Sequence, residues 1–235
     1  MSEFDSLSSQ SAAQLANGFE VKKSMLSDRN TIRLRRALSW LEKAQTLHSH
    51  EDFDGAFIFF WIAFNSMYSI QSSVNNPPSD TSQFRQFFKN LLQFDTEGTI
   101  YNALWKGFPG AIRTLVQNKY VYSLFWEFQM TGNESDWETQ LKKSEVRALA
   151  ALRSTRREKT LELLLIVFDR LYTLRNQLIH GSATYQGSIN RDQVKDGASI
   201  LAYLVPSFVA ILLENSDHDW GEVTYPAISR QIQSD

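Results

Sequence analysis

The sequence contains no cysteine among its 235 residues. Disulfide bonds, thiolate nucleophiles and cysteine-based zinc sites are therefore excluded. Glycine and proline are scarce, at 10 and 5 residues, which disfavours a turn-rich β-sandwich and favours helices with few breaks. Net charge is also small, at −2, so no overall attraction to nucleic acid is expected.

No segment has the composition of a signal peptide or of an uninterrupted membrane span. The first twenty residues carry acidic and polar side chains where a signal peptide needs a basic start and then an apolar run. The longest apolar stretches are 56–64, which is too short to cross a bilayer, and 198–213, which Ser199, Pro206 and Ser207 interrupt. We therefore expect a cytoplasmic protein without a membrane segment.

Apolar side chains are abundant, and their spacing is helical. They make up 43% of the chain, and 13% of all residues are aromatic, which is enough for one large core rich in rings. Their recurrence every three or four residues predicts an all-α bundle of about seven to nine helices with few or no strands. We expect residues 1–27 to be a flexible segment, 28–215 the helical domain and 216–235 an irregular tail.

Caps and breakers set the expected helix limits. The predicted helices cover 28–48, 51–68, 82–94, 96–106, 120–129, 137–154, 156–180 and 190–214, with a loop over 72–81 and a short extended piece at 222–225. Gly181 should end the seventh of these helices, and Asn190 should cap the eighth together with Gln193. Pro206 predicts a kink inside the last helix.

Positive charge is concentrated between residues 141 and 160. Seven basic and two acidic side chains give this window a charge of +5 and leave −7 for the rest of the chain. The candidate RNA-binding residues are the basic side chains Lys142, Lys143, Arg147, Arg153, Arg156 and Arg157. Such a surface can bind phosphates on a protein that is acidic overall, although the same charges also suit a solvated helix face.

A polar motif ends the predicted helix 156–180. Arg175 falls on the same stripe as Phe168 and Leu171, and a charged group on an apolar stripe must pair, extend to solvent, or face a cleft or another subunit. Asn176 and His180 lie on the neighbouring polar stripe. Histidine titrates near neutral pH, which suits acid–base chemistry.

This motif resembles a known family signature. The string RNQLIHG at 175–181 resembles the signature of HEPN (higher eukaryotes and prokaryotes nucleotide-binding) domains, in which an arginine, often followed by asparagine, precedes a histidine by a few residues. Gly181 and the segment WIAFN at 61–65 resemble a bacterial subgroup called ApeA-like. Close likeness covers only these two windows, and the helical architecture extends it to about residues 29–215.

The resemblance implies both a fold and an activity. HEPN domains are helical bundles that commonly form homodimers with two copies of the motif at the interface. Many are metal-independent endoribonucleases of toxin–antitoxin and phage-defence systems, and a nucleotidyltransferase-like antitoxin is the partner expected in such a pair. By this resemblance His180 would move the proton of an RNA 2′-hydroxyl, Arg175 would stabilise the scissile phosphate, and Asn176 would orient the phosphate or the histidine. No metal or cofactor is expected.

The residues themselves leave an alternative open. Arg175 and His180 lie roughly 140° apart around an ideal helix, so a shared site needs the reach of the arginine, unwinding beyond Ile179 or a second subunit. The same pattern also suits a structural role, because histidine and glycine are ordinary at a helix C-terminus. A non-catalytic HEPN module that binds RNA or scaffolds a protein partner is therefore the second hypothesis.

Three weaker patterns favour structure over chemistry. His48, His50, Glu51 and Asp52 form a short run of possible metal ligands, but such runs at helix ends are usually solvated, so no metal site is predicted. Asn65 is expected to be a hydrogen-bonded core amide, and Trp61 a packing residue. Asp169 lies on the polar stripe of the motif and could pair with an arginine, including Arg175 of a partner chain.

Overall fold

Helices form all the regular structure in the part of the chain that the structure describes. The computed structural model describes residues 10–68, 80–132, 136–154, 156–188 and 190–224. The α-helices are α1 (Ala12–Lys22), α2 (Asp28–Ser49), α3 (Phe53–Tyr68), α4 (Asp80–Phe94), α5 (Thr99–Asn102), α6 (Pro109–Gln117), α7 (Ser123–Thr131), α8 (Trp137–Ser154), α9 (Thr160–Ile179) and α10 (Arg191–Glu214). Short 3₁₀ turns occupy Lys23–Met25, Lys119–Val121 and Arg157–Lys159, and a π-helical turn occupies Ala103–Gly107. The predicted all-α bundle is confirmed, and the described ranges contain ten α-helices where about seven to nine were expected.

Helix α3 lies at the centre of the core. Its Trp61 and Phe64 are 1% and 0% exposed, and the Phe64 ring lies 4.8 Å from Phe168 of α9. Helix α10 packs closely against α3 at Gly197, where a Cβ would lie only 2.8 Å from the Phe57 ring. The predicted packing role of Trp61 is therefore confirmed.

Helix α10 is both long and apolar. By length and composition it could cross a membrane, and it is the one helix of the described residues with that property. However, 72% of its most apolar window is buried inside the structure, which is what a core helix of a bundle requires. The helix continues through Pro206 to Glu214.

The N-terminal segment is more ordered than predicted. Ser11 accepts a hydrogen bond from the backbone of Gln14, whose side chain accepts one from the backbone of Ser11, so that a capping box begins α1. Leu15 and Phe19 of this helix are buried. The expectation of a flexible segment was therefore wrong for residues 12–25, while residues 1–9 lie outside the described ranges.

A further helix, α6, lies where the sequence predicted a break after residue 106. Pro109 occupies the first turn of α6, where its missing N–H costs nothing. Ile112, Leu115 and Val116 bury the inner face of this helix. Pro109 therefore begins a helix within residues 107–119, a stretch for which the sequence analysis predicted none. The predicted loop at 72–81 lies mostly outside the described residues, and α4 begins at Asp80.

The C-terminal tail, residues 215–224 of the described chain, is irregular but firmly held. Arg33 of α2 is 1% exposed, and its guanidinium donates to the backbone carbonyls of Trp220 at 3.1 Å and Gly221 at 2.8 Å. The Asn30 side chain donates to the carbonyl of Ser216 at 2.7 Å. No strand forms over 222–224, so the expected extended piece is absent from these residues.

Candidate functional site at the end of helix α9

The helix that carries the motif ends in a Schellman turn. Gly181 has φ of 68°, and its N–H donates to the carbonyl of Leu178. The N–H of Ser182 donates to the carbonyl of Gln177 at 2.9 Å, which completes the pair of bonds typical of this cap. The predicted role of Gly181 is confirmed, and His180 is the C-terminal cap of α9.

Arg175 and Asn176 are joined directly. The Nη1 atom of Arg175 donates to Oδ1 of Asn176 at 2.9 Å. Both side chains are half-buried, and the Nε of Arg175 is buried without a hydrogen-bond partner in the described residues. Asn176 therefore orients the guanidinium of its neighbour within the chain.

His180 is the exposed member of the motif. Its backbone N–H donates to the carbonyl of Asn176 at 3.0 Å, as the helix requires. No hydrogen bond holds its ring to any residue in the described ranges, and none joins it to Arg175. Arg175 and Asn176 thus form one unit, while His180 presents a free imidazole to solvent.

Gln177, which the sequence analysis did not single out, connects the motif to the rest of the bundle. Its side chain donates to the carbonyl of Tyr120 at 2.5 Å and accepts from the side chain of Asn190 at 3.1 Å. Asn190 precedes α10 as predicted, but it lies at φ of 56° and its side chain does not cap the helix. The predicted capping by Asn190 and Gln193 was wrong because that amide is bound to Gln177.

The six predicted RNA-binding residues do not all line one cleft. Lys143 and Arg147 line a cleft of about 640 Å³ along α8, together with Lys142. Lys142 also pairs with Glu145 at 2.8 Å, and hydrogen bonds from Lys142 and Gln117 lower the pKa of that carboxyl. Towards the end of α8 and in the turn after it, Arg153 and Arg156 are exposed.

Arg157 has a structural role, because it binds backbone carbonyls of the turn after α4. Its guanidinium donates to the carbonyls of Asp95 at 2.8 Å and Thr96 at 3.2 Å. It also lies over Gly98, where a Cβ would come within 2.6 Å of Nη2. Arg157 therefore fixes the turn between α4 and α5, and these contacts compete with phosphate binding.

An arginine that the sequence analysis missed faces a second cleft. Arg85 of α4 and Arg147 of α8 line a cavity of about 630 Å³ that also contains Tyr122 and Ser144. Carboxylates from Glu162 and others line the same cavity, so its charge is mixed. Arg85 lies far from the basic window in sequence. Its place on the polar face of an amphipathic helix is that of an ordinary exposed residue, so the sequence did not distinguish it.

A buried arginine lies beneath this second cleft. Arg170 is 0% exposed and donates to Asp169 at 2.6 Å and to Ser144 at 2.9 Å. Its guanidinium also lies 4.3 Å from the centroid of the Tyr122 ring. Burial lowers the pKa of Arg170 and raises the pKa of Asp169. Asp169 thus pairs within its own chain, and the apolar neighbours of Arg170 in the sequence were the signal for its burial.

The possible metal ligands at the α2–α3 turn are used for packing and capping. His48 lies edge-on to Phe53, and burial lowers its pKa. The His50 ring hydrogen bonds to the Thr46 carbonyl at 2.7 Å, and Asp52 accepts from the N–H of Gly55. Within the described ranges, no group of three or more His, Asp or Glu residues could hold a metal ion.

Asn65 departs from its prediction. Its Oδ1 atom is buried and has no hydrogen-bond partner among the described residues. The expectation of a fully hydrogen-bonded amide was therefore wrong for this atom.

Fold and site together define an all-α helical bundle with a polar motif at the C-terminal end of α9. No known family model, curated protein or solved structure matches the chain. The function of the motif must therefore follow from its own residues and their surroundings.

Proposed function

We propose that the protein is a HEPN-type, metal-independent endoribonuclease that acts in the cytoplasm in stress response, a toxin–antitoxin pair or phage defence. The observation that carries the proposal is the pairing of Arg175 with Asn176 one turn before the exposed ring of His180. An exposed imidazole without an intramolecular partner is free to form a hydrogen bond with a substrate hydroxyl, as a general base must. A guanidinium held by an amide is oriented to receive a phosphate.

The proposed reaction is attack by an internal hydroxyl of RNA. His180 removes the proton of a ribose 2′-hydroxyl, and the resulting oxygen nucleophile forms a bond to the adjacent phosphorus as the P–O5′ bond breaks. The departing 5′-oxygen takes up a proton from solvent and becomes a hydroxyl, and His180 releases the proton it removed to solvent, so that no proton is gained or lost overall. Arg175 stabilises the negative charge that develops on the non-bridging oxygens. The products are a 2′,3′-cyclic phosphate and a 5′-hydroxyl, and Asn176 is a positioning residue for Arg175.

A homodimer would complete this site. Five helical steps separate Arg175 from His180 by roughly 7.5 Å along the axis and 140° around it. Ile179, which lies beside the histidine, is 43% exposed. An exposed apolar side chain at this position supports an arrangement in which His180 of one copy acts with Arg175 of a second copy. In a toxin pair, the expected inhibitor is a nucleotidyltransferase-like antitoxin.

The test is RNA cleavage by the purified full-length protein in excess chelator. Each of the variants His180→Ala and Arg175→Ala should lower the cleavage rate by about 100-fold or more, as expected for loss of an acid–base group or a charge-stabilising donor. The matched controls are His50→Ala, which removes an exposed histidine bound to its own helix, and Arg35→Ala, which removes an exposed arginine of α2. Cleavage that is unchanged in both motif variants would contradict the catalytic role.

The second candidate is a non-catalytic HEPN module that binds RNA or scaffolds a protein partner. The bond from Arg175 to Asn176 and the half-burial of both side chains favour it, because they also suit a purely structural role. This alternative predicts retention of RNA without cleavage products. Its structural form predicts a large fall in melting temperature for Arg175→Ala in a protein that has no nuclease activity.

A further inference from the structure

Tyr120 is an exposed aromatic residue fixed beside the motif. It lies in the 3₁₀ turn Lys119–Val121 and is 45% exposed. Its N–H donates to the Asn118 side chain at 2.8 Å. Its carbonyl accepts hydrogen bonds from Trp126 Nε1 at 2.8 Å and from Gln177 Nε2 at 2.5 Å. Three side chains thus hold the backbone of a residue whose ring extends into solvent.

The hydrogen bond to Gln177 places Tyr120 on the side of the motif where His180 lies. Residues three apart on a helix share a face, and His180 follows Gln177 by three positions at the end of α9. Arg175 precedes Gln177 by two positions and points away from that face. The Tyr120 carbonyl therefore lies at the face of α9 that Gln177 and His180 share, and not at the face of Arg175.

The surroundings of the Tyr120 ring are aromatic and cationic. Phe125 meets the ring edge-on at 5.5 Å and 89°, and Trp126 lies 6.4 Å away. The Nζ atom of Lys119 lies over one face of the Tyr120 ring, 5.3 Å from its centroid, which leaves stacking to the other face. A supported, exposed ring next to a lysine offers a planar surface for a base and a positive charge for its phosphate.

The same segment reaches the basic cleft on α8. Tyr122 follows Tyr120 by two residues and lines the cleft that contains Lys143 and Arg147. At the start of the segment, Gln117 donates to Glu145 of α8 at 3.0 Å. Residues 117–122 therefore form one continuous connection between the basic cleft and the end of α9.

We propose that the substrate is single-stranded RNA and that one of its unpaired bases stacks on Tyr120. Lys119 contacts the neighbouring phosphate, and the strand continues along the α8 cleft past Lys143 and Arg147. Paired bases are covered by their own stacking, so a duplex cannot use this ring. The inference rests on the proposed action on RNA, but it concerns binding, which can be measured without cleavage.

The test measures the dissociation constant of a labelled RNA oligonucleotide, either single-stranded or annealed to its complement, with the full-length His180→Ala protein. In this background, a further Tyr120→Ala change should weaken single-stranded binding by about 5-fold to 150-fold, the range for loss of one base stack. Tyr120→Phe should stay within about 2-fold of the parent, since it keeps the ring. The matched control is Trp40→Ala, which removes an aromatic residue of α2 that is 37% exposed and lies against Phe59.

A 2-aminopurine base in the oligonucleotide gives a second readout. Its fluorescence should be quenched on binding to proteins that carry Tyr120 or Phe at this position, and not on binding to Tyr120→Ala. Equal single-stranded affinity of Tyr120→Ala and the parent would overturn the proposal, as would equal affinity of the parent for the duplex. If binding depends on Tyr120 but the protein with His180 intact cleaves nothing, this inference stands and the nuclease proposal fails.

Discussion

Replacing Arg33 by alanine tests whether the main-chain carbonyls of the C-terminal tail hold it to α2. Arg33 donates to the carbonyls of Trp220 and Gly221 and to the side chain of Asn30, over distances of 2.8 to 3.1 Å. Burial lowers the pKa of Arg33 to about 10, so the guanidinium is still charged at neutral pH. Its loss leaves these three oxygen acceptors, and the more distant carbonyl of Glu222 at 3.5 Å, without this donor.

The expected loss of stability follows from those three acceptors. Each buried polar group left unpaired lowers the free energy of unfolding by about 1–3 kcal/mol. Part of this loss is offset, because the variant no longer has to remove a charged guanidinium from water on folding. We expect Arg33→Ala to lower the free energy of unfolding by about 3 kcal/mol. For a chain of this length that corresponds to a fall in Tm of roughly 6–12 °C.

The assay is thermal and urea unfolding followed by circular dichroism, with Arg35→Ala as the control. Arg35 lies on the same helix and is exposed, so its loss should change the free energy of unfolding by less than about 0.5 kcal/mol. A Tm of Arg33→Ala within about 2 °C of that of Arg35→Ala would refute the reasoning. Such a result would mean that other contacts, such as the Asn30 bond to the Ser216 carbonyl and the packing of Trp220, hold the tail without Arg33.

Two further predictions concern pH and backbone conformation. Burial lowers the pKa of His48 from 6.5, so on acidification the unfolded chain binds the proton first and the free energy of unfolding falls as the pH drops through 6.5. His48→Gln should lose this part of the pH dependence in urea titrations while His50→Gln keeps it, and identical pH profiles for the two variants would contradict the assignment. Gly181→Ala should lower the free energy of unfolding by about 1 kcal/mol, because alanine is strained at the φ of 68° found there. A Cβ at this position meets nothing within 4 Å, so no steric clash adds to this cost. Gly181→Asn should lose less, since asparagine tolerates this conformation, and an alanine variant as stable as the parent would contradict the left-handed cap.

The sequence predicted helices well where one segment carries its own signals. The limits of α8 were predicted as 137–154 and are Trp137–Ser154, and α2 was predicted as 28–48 and is Asp28–Ser49. Helix α1 was missed because a composition rich in Ser, Gln and Ala outweighed the capping box at Ser11. Helix α6 was missed because Pro109 can either break or begin a helix, and only the buried face behind it decides which.

The candidate site was predictable only within its own helix. The sequence located Arg175, Asn176 and His180 near a glycine cap, and the cap is confirmed. It could not bring Tyr120 next to Gln177, because the two residues are 57 positions apart and only packing joins them. Nor could it separate Arg157 from the other basic residues, since the carbonyls it binds belong to a distant turn.

The hydrogen bonds between α2 and the tail depend on the spacing of the tail residues and not on their identity. Arg33 and Asn30 bind backbone oxygens of the tail, and every amino acid supplies the same oxygen. Substitutions at exposed tail positions such as Asp217 therefore leave these hydrogen bonds intact. The deletion or insertion of one residue before Trp220, in contrast, would move the carbonyls of Trp220 and Gly221 out of reach of Arg33.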